Sequence, residues 1–349
     1  METIDIASLY PEEIRDYLAE KGVPAYRAGQ IYAWLRRGVK DFDEMTNLPK
    51  PLRQTLKEEC RLTPIRESEV LISKIDGTRK YLFTLHDSGY VESVLLHYKH
   101  GYSVCLSTQV GCKMGCAFCA SAKAGFERNL TAAEILYEMH EITRDMRESD
   151  PDFRIGHVVL MGIGEPLDNY DNVIRFLKLV NDQEGFGIGY RNLSLSTCGI
   201  VPRIYDLAKE EMPITLSISL HAVTDEKRSR LMPVNRRYPM KDLLRAAKDY
   251  TEKTGRRISF EYTVIRGEND SLDDANKLAG MMKGHLFHVN LIPVNPTKET
   301  GFLPGKEDRI REWIRILEEA GVTATRRRTL GADISAACGQ LRREKQTKE

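Results

Sequence analysis

Short apolar runs alternate with amphipathic segments between residues 101 and 295. The runs have the length and the β-branched content of buried strands, and the segments repeat apolar residues at helical spacing. Strands are predicted at residues 102–107, 157–161, 192–197, 214–220, 258–264 and 288–293, with helices at 132–147, 170–182, 203–209, 241–253 and 271–282. Strands separated by helices indicate a parallel α/β sheet. Six units are fewer than the eight of a closed barrel, so we predict a partial (βα)6 barrel.

The segments on either side of this barrel have other patterns. Residues 1–58 predict a small helical module, whose first helix begins at Pro11 and ends at Gly22. Residues 59–100 predict a short β-hairpin extension with strands at 80–85 and 90–96. The barrel is assigned to residues 101–300. Residues 301–349 predict one helix, at 306–319, followed by an irregular basic end.

Composition is that of a globular protein, with 41% hydrophobic and 30% charged residues in 349. No run approaches the roughly 20 apolar residues of a membrane helix, and the first residues contain no secretory signal, so we expect a cytoplasmic protein without membrane contact. The net charge of +1 is uninformative, but residues 21–40 contain no acid and five bases: Lys21, Arg27, Arg36, Arg37 and Lys40. A second basic run is Arg326–Arg327–Arg328. Such clusters suit a phosphate backbone, or simply form a solvated basic face.

Three of the seven cysteines, Cys112, Cys116 and Cys119, lie within eight residues and directly after a predicted strand. Iron–sulfur cubanes normally use four thiolates. Three thiolates leave one iron free for the amino and carboxylate groups of S-adenosylmethionine (SAM), whose reductive cleavage gives a 5′-deoxyadenosyl radical. Structural zinc is the alternative, but it needs a fourth ligand, and no second Cys pair or nearby His has zinc-finger spacing.

Polar residues and glycines follow several other predicted strands. Residues 162–166 read Gly-Ile-Gly-Glu-Pro, in which Glu165 could accept a hydrogen bond from an ammonium group, although an ordinary βα turn is the alternative. Ser196, Ser219, His221 and Asn295 end further strands. Since ligand groups gather at the carboxyl ends of parallel strands, we expect these residues to form one polar rim. His221 by itself would more often be a packed or capping histidine.

Several segments together resemble the RlmN/Cfr family of radical-SAM RNA adenine methyltransferases. They lie at residues 24–27, 109–112, 125–131, 162–166, 219–221, 231–235, 290–296 and 333–341, in the family's order. The resemblance implies one [4Fe–4S] cluster per chain on Cys112, Cys116 and Cys119. It also implies SAM contacts at Gly164, Glu165, Ser196, Ser219, Leu220, His221 and Asn295.

The same resemblance implies three catalytic residues. Cys338 would accept a methyl group and carry it to adenine as a carbon radical, Glu92 would remove the adenine proton, and Cys105 would attack the Cys338 sulfur to release the RNA. Taken one at a time, these residues have ordinary alternatives: a core cysteine for Cys105, a tail cysteine for Cys338 and a solvated acid for Glu92.

The implied partners are 23S rRNA, tRNA and an external electron donor such as flavodoxin or ferredoxin, with the enzyme itself a monomer. In the basic module, Tyr26, Tyr32 and Trp34 would then stack on bases beside the phosphate-binding cations. Segments 125–126, 260–262 and 290–293 are more similar to the family's C2 methyltransferases than to its C8 methyltransferases, which confer antibiotic resistance. The sequence also leaves open a non-catalytic, metal-containing RNA-binding protein and a radical-SAM enzyme that acts on a small molecule.

Overall fold

A computed structural model describes residues 3–123, 125–296 and 301–341. Its N-terminal part contains β1 (Ile4–Asp5), α1 (Pro11–Ala19), α2 (Tyr26–Leu35), α3 (Lys50–Glu59) and β2 (Cys60–Arg61). Pro11 occupies the first turn of α1, where its missing N–H costs nothing, and Glu13 accepts from the Tyr10 N–H at 2.7 Å. β1 pairs in parallel with β2, Ile4 opposite Cys60, so the two ends of the helical module meet.

An antiparallel unit follows, formed by β3 (Glu67–Ile72), β4 (Arg79–Thr84) and β5 (Tyr90–Tyr98). The predicted hairpin corresponds to β4 and β5, and β3 adds a strand that its exposed, mixed sequence did not indicate. β5 also pairs antiparallel with β6 (Gly101–Cys105), the first barrel strand. The extension and the barrel therefore share one continuous sheet.

The rest of the chain alternates strands and helices around this sheet. In chain order they are β7 (Gln109–Gly111), α4 (Ala120–Lys123), β8 (Phe126–Asn129), α5 (Ala132–Arg147), β9 (Ile155–Leu160), α6 (Tyr170–Asn181), β10 (Leu193–Thr197), α7 (Val201–Leu207), β11 (Thr215–Ser219), α8 (Asp225–Leu231), α9 (Met240–Thr254), β12 (Ile258–Val264), α10 (Leu272–Met282), β13 (Phe287–Pro293), α11 (Glu307–Glu319) and β14 (Thr323–Arg326). The ten-stranded sheet has the order β14-β13-β12-β11-β10-β9-β6-β5-β4-β3, and β7 and β8 form a separate hairpin.

All neighbouring strands from β6 to β14 in this order pair in parallel. The prediction of six parallel strands was short by one, because β14 joins β13 where an irregular end was expected. Its four residues, Thr-Ala-Thr-Arg, contain no apolar run, so periodicity could not reveal it. The sheet is open at both edges, as predicted for a partial barrel.

Apolar side chains fill the space between the sheet and the surrounding helices. Leu195, Leu216 and Phe260 on the strands and Trp313 on α11 are fully buried. α5 starts at a capping box in which Thr131 accepts from the Glu134 N–H and Glu134 accepts from the Thr131 N–H. Within the described ranges, the helices are all too short or too polar to cross a membrane.

Candidate active site

A tight loop between β7 and α4 carries the three clustered cysteines. It begins at Gly111, whose φ is +77° and where an added Cβ would lie 1.8 Å from the Gly125 carbonyl oxygen, so only glycine fits. The Cys112 N–H donates to that same carbonyl at 2.9 Å. Further along, the Ala117 N–H donates to the Leu231 carbonyl at 2.9 Å. These bonds hold the loop against β8 and against the segment after α8.

Cys112, Cys116 and Cys119 are half-buried and line one cavity at the carboxyl ends of the barrel strands. Burial, and secondarily the nearby Cys119, raises the pKa of the Cys112 thiol to about 12. In the parts of the chain that the structure describes, no three Cys, His, Asp or Glu side chains form a ready-made metal-binding group. Three thiols on one wall, with the cavity open in front of them, nevertheless match the donor set of a cluster held by three protein thiolates.

The Gly-Ile-Gly-Glu-Pro loop forms the next wall of this cavity. Glu165 is buried, and its carboxylate accepts from Thr197 Oγ1 at 2.7 Å, the Cys198 N–H at 2.7 Å and the Leu167 N–H at 3.0 Å. Burial raises its pKa, and these donors oppose the rise. The Cys198 thiol is a further hydrogen-bond partner of this carboxylate, so the protein itself occupies most of its roughly four acceptor positions.

The two glycines of this loop serve packing as well as access. A Cβ at Gly162 would lie 2.5 Å from the Leu106 carbonyl oxygen, and one at Gly164 would lie 2.7 Å from Gln109 Cβ. Glycines at the end of a strand also let a ligand approach the backbone. The structure adds that the loop must lie against the segment joining β6 to β7, which fixes Glu165 beside the cysteines.

Of the five other residues predicted to contact SAM, four line the cavity and one does not. Ser196, Ser219, His221 and Asn295 line it. Leu220 is fully buried, and both its backbone groups are used: its N–H donates to the Glu261 carbonyl and its carbonyl accepts from Arg228 Nε.

His221 combines a left-handed backbone, with φ +55°, and a defined ring orientation. Its Nδ1 accepts from the Thr263 N–H at 2.8 Å, so the proton lies on Nε2. Burial lowers its pKa to about 3, which keeps the ring neutral. The edge-on contact with Phe118, 4.8 Å between ring centres, ties it to the cysteine loop. His221 is therefore both a packed histidine and a cavity residue, and strained backbones of this kind concentrate at functional sites.

Two arginines that the sequence reasoning did not assign to the site organise it. Arg228 is fully buried and donates to the Cys198 carbonyl at 2.7 Å and to the Ser219 carbonyl at 3.0 Å. Cys198 directly follows β10, and Ser219 is the last residue of β11. Arg327, directly after β14, lies in the cavity wall, 3.5 Å from Glu261 Oε2 and 3.5 Å from Met161 Sδ. The basic run 326–328 did not indicate this role, because both interpretations of the run, a phosphate-binding cluster and a solvated basic face, place Arg327 at the surface.

Cys105 and Cys338 line a second recess, which opens beside the main cavity and also contains Arg327. Burial, and then the nearby Cys338, raises the pKa of Cys105 to about 12. Burial also raises the pKa of Cys338, and the positive charge of Arg327 opposes the rise at both thiols. Asn295 Nδ2 donates to the Cys338 carbonyl at 2.9 Å. Two cysteines 233 positions apart are thus brought to one place next to the cysteine loop.

Comparison with known proteins identifies the family. The description "Ribosomal RNA large subunit methyltransferase N-terminal domain" matches residues 4–62, and "Radical SAM superfamily" matches residues 106–279. A relative from Alkaliphilus oremlandii, named "Probable dual-specificity RNA methyltransferase RlmN", is 49% identical over 99% of this chain and 99% of its own length. One of the same name from Clostridium beijerinckii is 49% identical over 95% of this chain and 93% of its own. The chain belongs to the RlmN family of radical-SAM RNA methyltransferases.

A solved structure agrees with this assignment and with the fold. The crystal structure of a radical SAM methyltransferase from Sphaerobacter thermophilus superposes with a TM-score of 0.90 at 43% identity, covering 98% of this chain and 100% of that one. The resemblance inferred from the motifs and the predicted radical-SAM α/β fold are both confirmed.

Glu92, the remaining residue that the RlmN/Cfr resemblance singled out, lies on β5. It is buried, and its Oε1 lies 3.1 Å from Lys80 Nζ on β4. Lys80 Nζ also reaches the Ser335 carbonyl at 3.5 Å, three residues before Cys338. Within the described residues, Glu92 is not part of either cavity wall. Glu92 is therefore linked through Lys80 to the residues just before Cys338, and it does not line the cavity of the cysteine loop.

The N-terminal module of this RlmN-family chain is partly unlike the RNA-binding surface that was predicted. Tyr32 is fully buried, with its hydroxyl donating to Asp182 Oδ2 at 2.7 Å, and Arg36 is buried with NH2 on the Ala7 carbonyl. Neither residue is placed to contact RNA, because the helix face that carries them packs on the barrel. Periodicity alone does not say which aromatic and basic residues lie on that face.

Other residues of this predicted surface remain accessible. Tyr26 is 61% exposed and stacks under Arg27 at 4.8 Å, and Arg37 lies 5.6 Å from the Trp34 ring. The remaining bases form ion pairs: Lys21 with Glu59, Lys40 with Glu141, and Arg326 of the C-terminal run with Glu307.

Proposed function

We propose that this protein methylates C2 of an adenosine in 23S rRNA and C2 of an adenosine in tRNA. The observation that carries the proposal is the convergence of Cys105 and Cys338 beside the three-cysteine loop. A structural metal site in a non-catalytic protein would not need this second pair. The names of the curated relatives support two RNA substrates, since each is called dual-specificity.

Cys112, Cys116 and Cys119 would hold a [4Fe–4S] cluster, one per chain. SAM would lie in front of it, against Gly164, Glu165, Ser196, Ser219, His221 and Asn295, while Leu220 would contribute through its position between Ser219 and His221. When bound, the two groups together supply a 5′-deoxyadenosyl radical by one-electron cleavage of SAM. Neutral His221 would offer an N–H, and Glu165 a carboxylate, to the bound SAM.

The protein's own residues would perform the remaining chemistry. Cys338 would carry the methyl carbon on its sulfur and deliver it to adenine, as the family resemblance implies. Glu92 would take up the proton from C2. Cys105 would then attack the Cys338 sulfur as a thiolate and break its bond to the RNA-bound carbon, which keeps the electron pair and takes up a proton to become the methyl group. The disulfide that remains must be reduced by an external reductant in each cycle. Arg327, between the two sulfurs and Glu261, would favour the attacking thiolate.

The chain organisation fits an RNA substrate. We propose residues 1–58 as an RNA-binding module that uses the Tyr26–Arg27 and Trp34–Arg37 pairs, residues 59–100 as the extension that carries Glu92, residues 101–300 as the radical-SAM barrel, and residues 301–349 as the C-terminal part that carries Cys338. Stacked arginine–aromatic pairs suit bases and phosphates together. We further propose that the enzyme acts as a monomer and receives electrons from a flavodoxin or ferredoxin.

The deciding experiment is mass spectrometry of nucleosides from a 23S rRNA fragment and from tRNA. Each RNA is incubated with cluster-loaded enzyme, SAM and a reducing system. We expect 2-methyladenosine in both, none with Cys338→Ala, and normal amounts with Cys60→Ala, a buried cysteine of the N-terminal module. 8-Methyladenosine would overturn the C2 assignment, and unmodified RNA from loaded enzyme would overturn the proposed substrates.

A further inference from the structure

Residues 331–341, here called the Cys338 segment, contribute Cys338, Gly339 and Leu341 to the wall of the active-site cavity and are held by hydrogen bonds at both ends. At the inner end, the Ala120 N–H donates to the Gly339 carbonyl at 2.9 Å, and Ser121 Oγ donates to the Leu341 carbonyl at 2.9 Å. Both donors lie at the start of α4, directly after Cys119. The inner end is therefore attached to the cysteine loop itself.

The outer end is attached to the turn between β3 and β4, far from the cysteines in sequence. Asp333 Oδ1 accepts from Ser73 Oγ at 2.7 Å, and its Oδ2 accepts from the Lys74 N–H at 2.9 Å. In the opposite sense, the Gly331 N–H donates to Asp76 Oδ2 at 2.9 Å. Each partner contributes one aspartate, so the contact is reciprocal and has a defined register.

The shape of the chain at this contact is equally specific. Gly331 has φ +65°, and a Cβ there would lie 2.7 Å from Ala336 Cβ and 2.9 Å from Thr78 Cγ2. Two hydrogen bonds within the β3–β4 turn also stiffen it. The Thr78 N–H donates to Asp76 Oδ1 at 3.0 Å, and the Ser73 N–H donates to the Thr78 carbonyl at 2.8 Å. The β3–β4 turn is thus held in one conformation by its own hydrogen bonds. The Cys338 segment can approach it only because residue 331 is a glycine.

We propose that the β3–β4 turn is a clasp that sets the position of Cys338, with Asp76 and Asp333 as positioning residues. The inference rests on the proposed role of Cys338 as the methyl carrier. That sulfur must meet SAM, the adenine and Cys105 in turn, and a displacement of about 1 Å can reduce such reactions about 100-fold. Fixing both ends of an eleven-residue segment restricts where its eighth residue can lie.

The clasp acts on position more than on folding. The Asp333 side chain is exposed, so solvent screens its hydrogen bonds, although its partner Ser73 is buried. Hydrogen bonds of this kind contribute little to global stability, so their loss should leave the barrel and the cluster intact. What changes is the inner part of the segment, which then relies on its bonds to α4, Asn295, Pro296 and Lys80.

The first test measures the Cys105–Cys338 pair without RNA, so that it does not depend on the proposed substrate. Cluster-loaded protein is exposed to oxidised glutathione, which the two thiols reduce to two glutathione molecules as their disulfide forms, and peptide mass spectrometry follows that disulfide. We expect its rate of formation to fall about tenfold in Asp333→Ala, less in Asp333→Asn, which keeps one acceptor oxygen, and not at all in Asp273→Ala, an exposed aspartate on α10.

The second test measures coupling during turnover. If Cys338 is misplaced, SAM is still cleaved but the methyl group is not delivered to RNA. The ratio of 5′-deoxyadenosine to methyladenosine should therefore rise about fivefold or more in Asp333→Ala and in Gly331→Ala. The KM for RNA should be unchanged in both variants. Disulfide rates and coupling within twofold of wild type in both variants, with unchanged iron content, would overturn the clasp. If wild-type enzyme methylates no RNA, the proposed function fails, and the disulfide rates still decide the clasp.

Discussion

The buried ion pair between Lys80 and Glu92 should make two substitutions compensate each other in stability but not in activity. The side chains are 3% and 2% exposed, with 3.1 Å between Nζ and Oε1. Coulomb's law gives an attraction of about 5 kcal/mol at this separation for an effective dielectric constant of about 20. Desolvation offsets much of that in the intact pair. Removing one partner leaves an uncompensated buried charge, which costs about 3–5 kcal/mol.

Lys80→Met should therefore lower the free energy of unfolding by about 3–5 kcal/mol, and Glu92→Gln should also destabilise the protein. The double variant buries neither charge, so it should be at least about 2 kcal/mol more stable than the sum of the single effects predicts. Methylation should stay absent in it, because the proposed base is still missing.

The assay is urea unfolding, followed by circular dichroism, of the four anaerobic, cluster-loaded proteins of this double-mutant cycle. Lys57→Met, which breaks an exposed ion pair with Asp43, is the control and should change little. Single effects that add to within about 0.5 kcal/mol would refute the coupling. Restored methylation in the double variant would refute the role of Glu92 as the base.

Three further predictions concern other parts of the chain. Burial raises the pKa of Glu138 to about 8, so the folded state keeps a proton that the unfolded state releases. The free energy of unfolding should therefore fall as pH rises from about 5 to 8, by up to about 1.4 kcal/mol per pH unit. Urea unfolding of Glu138→Gln at several pH values should lack that slope. Gly111→Ala should abolish iron uptake while Gly115→Ala, also left-handed but with its nearest neighbour 3.5 Å away, retains it in iron analysis; equal uptake would contradict the steric argument. Arg27→Ala should reduce the salt dependence of RNA binding by about one ion, whereas Arg36→Met should leave it unchanged and alter stability instead, as filter binding at several salt concentrations and urea unfolding would check.

Periodicity and strand-end logic predicted the parts of this structure that depend on local sequence. The barrel strands carry apolar residues on the face that packs against the helices, as Leu193 and Leu195 of β10 show. Strand ends then placed Ser196, Ser219 and His221 at one rim. β14 was not predicted, because a short edge strand needs no apolar run. The role of Arg327, which directly follows β14, was missed for the same reason.

The contacts of the C-terminal segment depend on the fold instead. The bonds of Asp333 to Ser73 and Lys74 join positions about 260 residues apart, and no local pattern records such a pairing. The same holds for Tyr32 and Arg36, which are amphipathic residues on a helix whose buried face is decided by what packs against it. The family resemblance pointed to residues 333–341 as a motif without giving the physical reason for Asp333.

The parallel pairing of β1 with β2 makes the N-terminal module transplantable. Strands that pair in this way lie about 4.8 Å apart, so the chain leaves the module almost where it entered. The family match of residues 4–62 begins and ends at this same junction. A module from another family member, joined after β2 and matched at Ser8, Val39 and Tyr32, which hydrogen-bond to α5 and Asp182, would keep these contacts with the barrel. Under the proposed RNA-binding role of residues 1–58, such an exchange should change RNA preference and leave the methyl-transfer residues unchanged.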